Sequence, residues 1–235
     1  MDDESPGVVD HSVELVLLPS PLLGPAAWAP AAEALRRRGW STLVCGLPRE
    51  FVSPSEVLRH FLESVPPQRA VVLVPHSNAG LFVPGLARER HVVASLFVDA
   101  ALPPREGSTR LAPATLLDLL ESKADADGLL PPWTQWWEPS DLGSLFPDEV
   151  ARRRVEAGQP RLPLAYFHSS LDVPAGWSDL PSAYLALGDT YAEERDRAAA
   201  WGWPVATLAG QHLHMMVAPD EVADAVTGLL QRLGV

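Results

Sequence analysis

The sequence predicts an α/β fold built on a mainly parallel sheet of about six strands flanked by helices. Three observations lead there. Short apolar, β-rich runs recur along the chain, and helix-like stretches separate them. The runs are continuously hydrophobic rather than alternating, as strands covered on both faces must be. The chain has 235 residues and is 47% hydrophobic, which suits one domain with a sizeable core and an insertion.

Taken in chain order, residues 13–19 (VELVLLP) read as a buried first strand. Residues 25–38 read as a helix, with Trp28, Ala31, Ala32 and Leu35 on one side and Gly39 as its stop. STLVCGLP (41–48) is the second strand. SPSEVLRHFLESV (53–65) opens with a Ser-x-x-Glu capping box and continues with helical spacing. AVVLVP (70–75) is a third strand, followed by a tight turn and a short helix to about Arg90. HVVASLFVDA (91–100), SAYLALG (182–188) and PVATLAG (204–210) complete the sheet, with a helix over EERDRAAAWG between the last two. The final helix, 219–233, has Pro at its first position and acids in its first turn. Val222, Val226, Leu229, Leu230 and Leu233 share one face of it.

One region breaks the alternation. Residues 104–180 show no strand pattern, only proline-bounded helical pieces such as 113–122 and 147–157. The stretch is too long for a plain loop and reads as a helical lid over the strand ends. The organisation is therefore core (1–103), lid (104–180) and core (181–235).

Charge and composition exclude several classes. The formal net charge is −12, which opposes binding to a phosphate backbone. The runs Arg36-Arg37-Arg38 and Arg152-Arg153-Arg154 are short, have acids nearby and read as solvated helix faces. The single cysteine, Cys45, cannot form an internal disulfide. The acidic start MDDESPG lacks the basic and apolar run of a leader, and no apolar run reaches the length of a membrane span. The expected location is the cytoplasm. His11, His60, His91 and His168 are scattered and suggest no metal cluster. No phosphate-cradling glycine loop or nicotinamide fingerprint is present, so no cofactor and no metal are expected.

The sharpest local signal is VVLVPHSNAG (71–80). A buried strand runs into His76-Ser77-Asn78, and a small-residue helix start comes next. A serine nucleophile needs this context: a tight strand-to-helix turn with small neighbours, above a helix N-terminus that favours negative charge. The stretch resembles the Gly-x-Ser-x-Gly elbow of the α/β-hydrolase superfamily. Pro75 stands at the first glycine, Ala79 at the second, and Gly80 comes one step later.

That resemblance implies partners in the order serine, acid, histidine, at strand ends. Gly188-Asp189 closes the strand after the insertion, and Gly210-Gln211-His212 closes the last strand. The expected roles are Ser77 as nucleophile, His212 as general base and Asp189 as the acid that orients it. Asp99, ending the fourth strand, is the rival acid, and His214 is the rival base. Asp189 could instead cap the helix after it. His76 reads as a scaffold residue of the elbow.

The resemblance also implies an oxyanion hole of two N–H donors. Asn78, just after the nucleophile, supplies one. The other is expected from the loop 19–24, where Pro21 takes the donor position and has no N–H. Leu22 through a shifted loop, or the Ser20 side chain, is then the substitute. Trp133, Trp136 and Trp137 in PPWTQWWEP, together with Pro21, are the candidate pocket lining, and Trp177 lies further along the insertion. The implied activity is serine-dependent hydrolysis of a small or medium apolar ester or thioester, by a chain compatible with a homodimer. The alternatives are a lyase, cyclase or isomerase, or a catalytically silent ligand-binding protein on the same fold. The resemblance further implies a core trimmed at its front, without the opening antiparallel hairpin.

Overall fold

The computed structural model describes residues 13–48 and 50–235. The acidic start, expected to lack a leader, lies outside them. The chain order is β1 (Glu14–Leu18), α1 (Ala29–Arg37), β2 (Ser41–Val44), α2 (Pro54–Ser64), β3 (Val71–Ser77), α3 (Val83–Glu89), β4 (Val92–Ala100), β5 (Gly107–Arg110), α4 (Ala114–Lys123), α5 (Pro139–Leu142), α6 (Glu149–Glu156), α7 (Leu164–His168), β6 (Ser170–Val173), β7 (Ser182–Leu187), α8 (Ala192–Ala200), β8 (Val205–Leu208), α9 (His214–Val217) and α10 (Pro219–Leu233).

Six strands form one sheet in the order β2-β1-β3-β4-β7-β8, and every pairing in it is parallel. Every residue of β3 is buried, and so is nearly every residue of β4. This is why these runs carry no polar alternation: helices cover both faces. Helix α1 packs against α10 and α2 against α3. The apolar face of α10 buries Val222, Ala223, Val226, Leu229 and Leu230. Arg38, at the end of α1, is held to Asp220 and Asp224 at the start of α10.

The capping box of α2 forms. Ser53 Oγ accepts from the Glu56 N–H at 3.4 Å, and the Glu56 carboxylate accepts from the Val52 N–H at 2.8 Å. The strand order fixes where a ligand can bind. The chain runs outward from β1 to β2, then returns to β3 on the other side of β1. Loops leaving the carboxyl ends of β1 and β3 therefore diverge at a topological switch point, where open α/β sheets bind ligands.

The inserted segment differs from expectation in one respect. It is not free of strands: β5 pairs antiparallel with β6, Gly107 opposite Val173 and Arg110 opposite Ser170. The pair ties the two ends of the segment together. Both strands have four residues; β5 is polar and mostly exposed, and β6 alternates only Leu171 and Val173, too short a pattern to mark a strand in sequence. Among the described residues no helix is long and apolar enough to cross a membrane.

Candidate active site

Three strand ends meet at one point. Ser77, the last residue of β3, adopts φ 58 and ψ −133. This is a costly backbone for a residue with a Cβ, worth about 1–3 kcal/mol of strain. The turn is braced from β4, where the Ala101 N–H donates to the Ser77 carbonyl at 3.0 Å. Gly80 explains the displaced glycine of the elbow. A Cβ there would lie 2.0 Å from the Ala101 carbonyl oxygen, so the close approach of β4 demands glycine at that position.

Asp99 carries the second strain. The β3–β4 register jumps from His76 opposite Val98 to Ser77 opposite Ala100, leaving Asp99 as a bulged residue with φ 42. Bulges re-aim side chains. Here the carboxylate, fully buried, places Oδ2 2.6 Å from His212 Nδ1. Its Oδ1 accepts from the Leu187 N–H at 3.1 Å. A carboxylate on Nδ1 fixes the imidazole tautomer and leaves Nε2 as the basic nitrogen.

His212 comes after β8 and is buried. His76 secures it from below. The His76 Nε2–H donates to the His212 carbonyl at 2.9 Å, and the two rings stack 4.5 Å apart. Burial, with His212 beside it, holds His76 well below the usual histidine range, which favours its neutral form. Among the described residues its Nδ1 has no hydrogen-bond partner. His214, the rival base, instead faces Glu221 at 3.0 Å on the outer side.

The expected acid is corrected. Asp189 has an 89% exposed side chain and pairs with Arg195 at 3.2 Å. The turn at Gly188 (φ 100), pressed against the Gly210 carbonyl, carries the chain outward, so the Asp189 carboxylate stays in solvent. Tyr191 comes to the site instead, its hydroxyl 3.4 Å from Ser77 Oγ and its ring 5.6 Å from that of His212. Sequence reasoning misses Tyr191. Its only signal is an aromatic residue in the polar run Asp-Thr-Tyr-Ala-Glu-Glu. Ser77 makes this contact and, among the described residues, no hydrogen bond to His212.

The oxyanion candidates divide. Asn78 opens a helical turn, so its N–H has no intrahelical acceptor. Its side chain is held by the inserted segment: Nδ2 donates to the Leu111 carbonyl at 2.9 Å, and Oδ1 accepts from the Tyr166 hydroxyl at 3.2 Å. Leu22 does not offer a free donor. Its N–H points to Ser20 Oγ at 3.3 Å, while Leu23 and Gly24 donate to the Ser20 carbonyl. Pro21 is buried in the same turn.

The tryptophans divide too. The Trp133 ring lies 6.3 Å from that of His212, and Trp137 stands edge-on behind it at 5.9 Å, partly exposed. Trp136 is turned away: its indole N–H donates to the Pro131 carbonyl, and its ring packs on Phe167. Trp177 packs with Trp201, Trp203 and Phe97, its indole N–H donating to the Pro104 carbonyl. A cleft of about 690 Å³ opens in the inserted segment, with Pro132, Trp137, Leu142, Phe146 and Arg152 among its walls. Ser144, beside it, donates to Gln211, the neighbour of His212. Cys45 offers no rival nucleophile, because burial pushes its thiol up to about 12. Among the described residues no three potential metal-ligating side chains gather.

No protein-family model and no curated protein sequence matches the chain. Solved structures do. An extracellular α/β-hydrolase from a Paenibacillus species, described as sharing structural and functional homology with tobacco salicylic acid binding protein 2, is 16% identical, with a TM-score of 0.72 over 92% of this chain and 98% of that one. Tomato methylketone synthase I is 14% identical, with a TM-score of 0.65 over 94% and 99%. A pyrethroid hydrolase from Sphingobium faniae is 16% identical, with a TM-score of 0.65 over 92% and 96%. At such identities the likeness speaks for the scaffold, and with the parallel sheet and the elbow it settles one point: the chain has the α/β-hydrolase fold.

Proposed function

We propose that the chain is a serine hydrolase cleaving small or medium apolar esters or thioesters, with Ser77 as nucleophile, His212 as general base and Asp99 as the acid that orients it. The observation that carries this is the 2.6 Å contact between the buried Asp99 carboxylate and His212 Nδ1, next to a serine in a strained elbow. A buried carboxylate on one imidazole nitrogen makes the other a better base. Ser77 Oγ, brought into hydrogen-bond reach of His212 when substrate binds, attacks the acyl carbon while Nε2 takes its proton. The tetrahedral adduct collapses as Nε2–H protonates the leaving oxygen or sulfur, and water then releases the acid by the same steps. Hydrogen bonds of this kind are often unformed without substrate and tighten on binding.

The substrate class is drawn from the walls. Trp133 stands beside His212 with Trp137 packed on it, and the nearby cleft has Trp137, Pro132, Leu142 and Phe146 on it together with Asp148, Glu149, Arg152 and Glu156. Residues 104–180 act as a lid over Ser77 and His212. The esterases and hydrolases among the structural neighbours agree with the reading at the level of reaction class.

The test is intact-mass analysis after treatment with a fluorophosphonate. The wild type gains one adduct, and Ser77→Ala and His212→Ala gain none. If folded wild type stays unlabelled, the reading fails. A non-hydrolytic or ligand-binding role on this fold then leads, favoured by the Leu22 N–H being turned to Ser20.

A further inference from the structure

The proposed hydrolase has one oxyanion donor in view and needs two, since losing a single donor costs about 100- to 1000-fold in rate. The usual supplier, the loop after β1, is spent. Pro21 has no N–H, and the N–H groups of Leu22, Leu23 and Gly24 all end on Ser20. The other side of the serine carries a donor that no sequence pattern predicts. The Tyr191 hydroxyl reaches Ser77 Oγ at 3.4 Å, and among the described residues this is the one hydrogen bond that Oγ makes.

We propose that Tyr191 is a catalytic residue of this site, its hydroxyl donating to the oxyanion that forms when Ser77 adds to an ester carbonyl. The inference rests on the serine-hydrolase reading. The step balances: the Oγ–C bond forms, the carbonyl π pair moves onto oxygen, and the serine proton goes to His212 Nε2. The new oxyanion is bonded to the carbon that Oγ has attacked, so a donor already against Oγ needs only a small shift to meet it. The Asn78 N–H supplies the companion bond.

Two further features suit the role. Tyr191 is the residue immediately before α8, and its carbonyl accepts the Arg195 N–H at 3.0 Å, so the ring is anchored to a rigid element, as a preorganised donor should be. Its phenol is held above the ordinary tyrosine range by burial, so it remains protonated and donates throughout the working pH range of a histidine base. The turn that carries Asp189 away from the histidine is thus the turn that delivers Tyr191 to the serine.

The experiment compares wild type and Tyr191→Phe for the second-order rate of phosphonylation by a fluorophosphonate and for kcat and KM on p-nitrophenyl butyrate. Near-UV circular dichroism confirms the fold of each. The substitution removes one oxygen whose hydrogen-bond partner is Ser77. Phosphonylation and kcat are expected to fall about 100-fold, with KM within about threefold. A merely structural wall would not split the constants this way. If wild type is labelled and Tyr191→Phe reacts as fast or faster, Tyr191 is no donor and the inference falls while the serine reading stands. If folded wild type is not labelled, the serine reading itself fails and takes the inference with it.

Discussion

Two pairs of strand ends form the rim of this sheet, and they treat the same residue type in opposite ways. At the β3–β4 end, positive φ is borne by Ser77 and Asp99, both side chains with a Cβ and both buried. At the β7–β8 end the positive φ falls on Gly188, where it costs little, and the neighbouring Asp189 stands in solvent against Arg195. Each end offers an aspartate at the end of an apolar strand, Asp99 next to last in β4 and Asp189 two residues past β7. Only the strained end aims its carboxylate at His212. Backbone strain that the surroundings must hold in place marks the carboxylate paired with His212 better than its place along the chain does.

The largest expected effect tests that contrast directly. Asp99→Asn keeps the shape but can no longer hold the imidazole in the tautomer that leaves Nε2 basic. Ester turnover should fall about 10⁴-fold, with the fold intact by circular dichroism. A fall of less than about tenfold would remove Asp99 from the proposed triad.

Next in size is the brace of the strained turn. Gly80→Ala puts a Cβ 2.0 Å from the Ala101 oxygen, a contact that only a backbone shift can relieve. It should cost more than about 3 kcal/mol in urea unfolding, and any folded remainder should lose fluorophosphonate reactivity. Wild-type stability in this variant would mean that β4 is free to move and does not hold Ser77 in its strain.

The histidine beneath the site gives a smaller, pH-dependent effect. His76 is held below its usual value by burial and by His212, so the folded state binds fewer protons than the unfolded one. Stability must then fall as pH drops below about 6.5, by up to about 1.4 kcal/mol per unit from this group. His76→Asn should flatten the decline of the urea midpoint between about pH 7.5 and 5.5. An unchanged slope would show that His76 takes up its proton without unfolding.

These cases also show how far the sequence speaks. The six strands, their parallel pairing and the elbow at Ser77 were legible, because continuous apolar runs and a strand-to-helix turn are local patterns. So was the position of His212 after the last strand. The Asp189 expectation failed because side-chain direction at a strand end depends on a bulge and two φ angles, which residue order does not encode. Leu22 failed for a related reason: the N–H was there, but Ser20 took it. Strands β5 and β6 escaped notice because β5 is polar throughout and β6 offers only Leu171 and Val173, too short a trace to read.

The smallest effect sharpens the comparison most. Asp189→Asn should leave kcat and KM within about twofold of wild type, because the side chain is exposed and touches no site residue. Its ion pair with Arg195 is the surface kind, worth at most about 1 kcal/mol, and Arg195 keeps Asp196 as a partner at 2.9 Å. A large loss of turnover would mean that the β7–β8 turn swings inward during catalysis and lends its acid to His212 after all. Because Tyr191 lies two residues further on, such a swing would also pull its hydroxyl from Ser77. Asp189→Asn and Tyr191→Phe would then fail together, whereas a fixed turn predicts that only the second does.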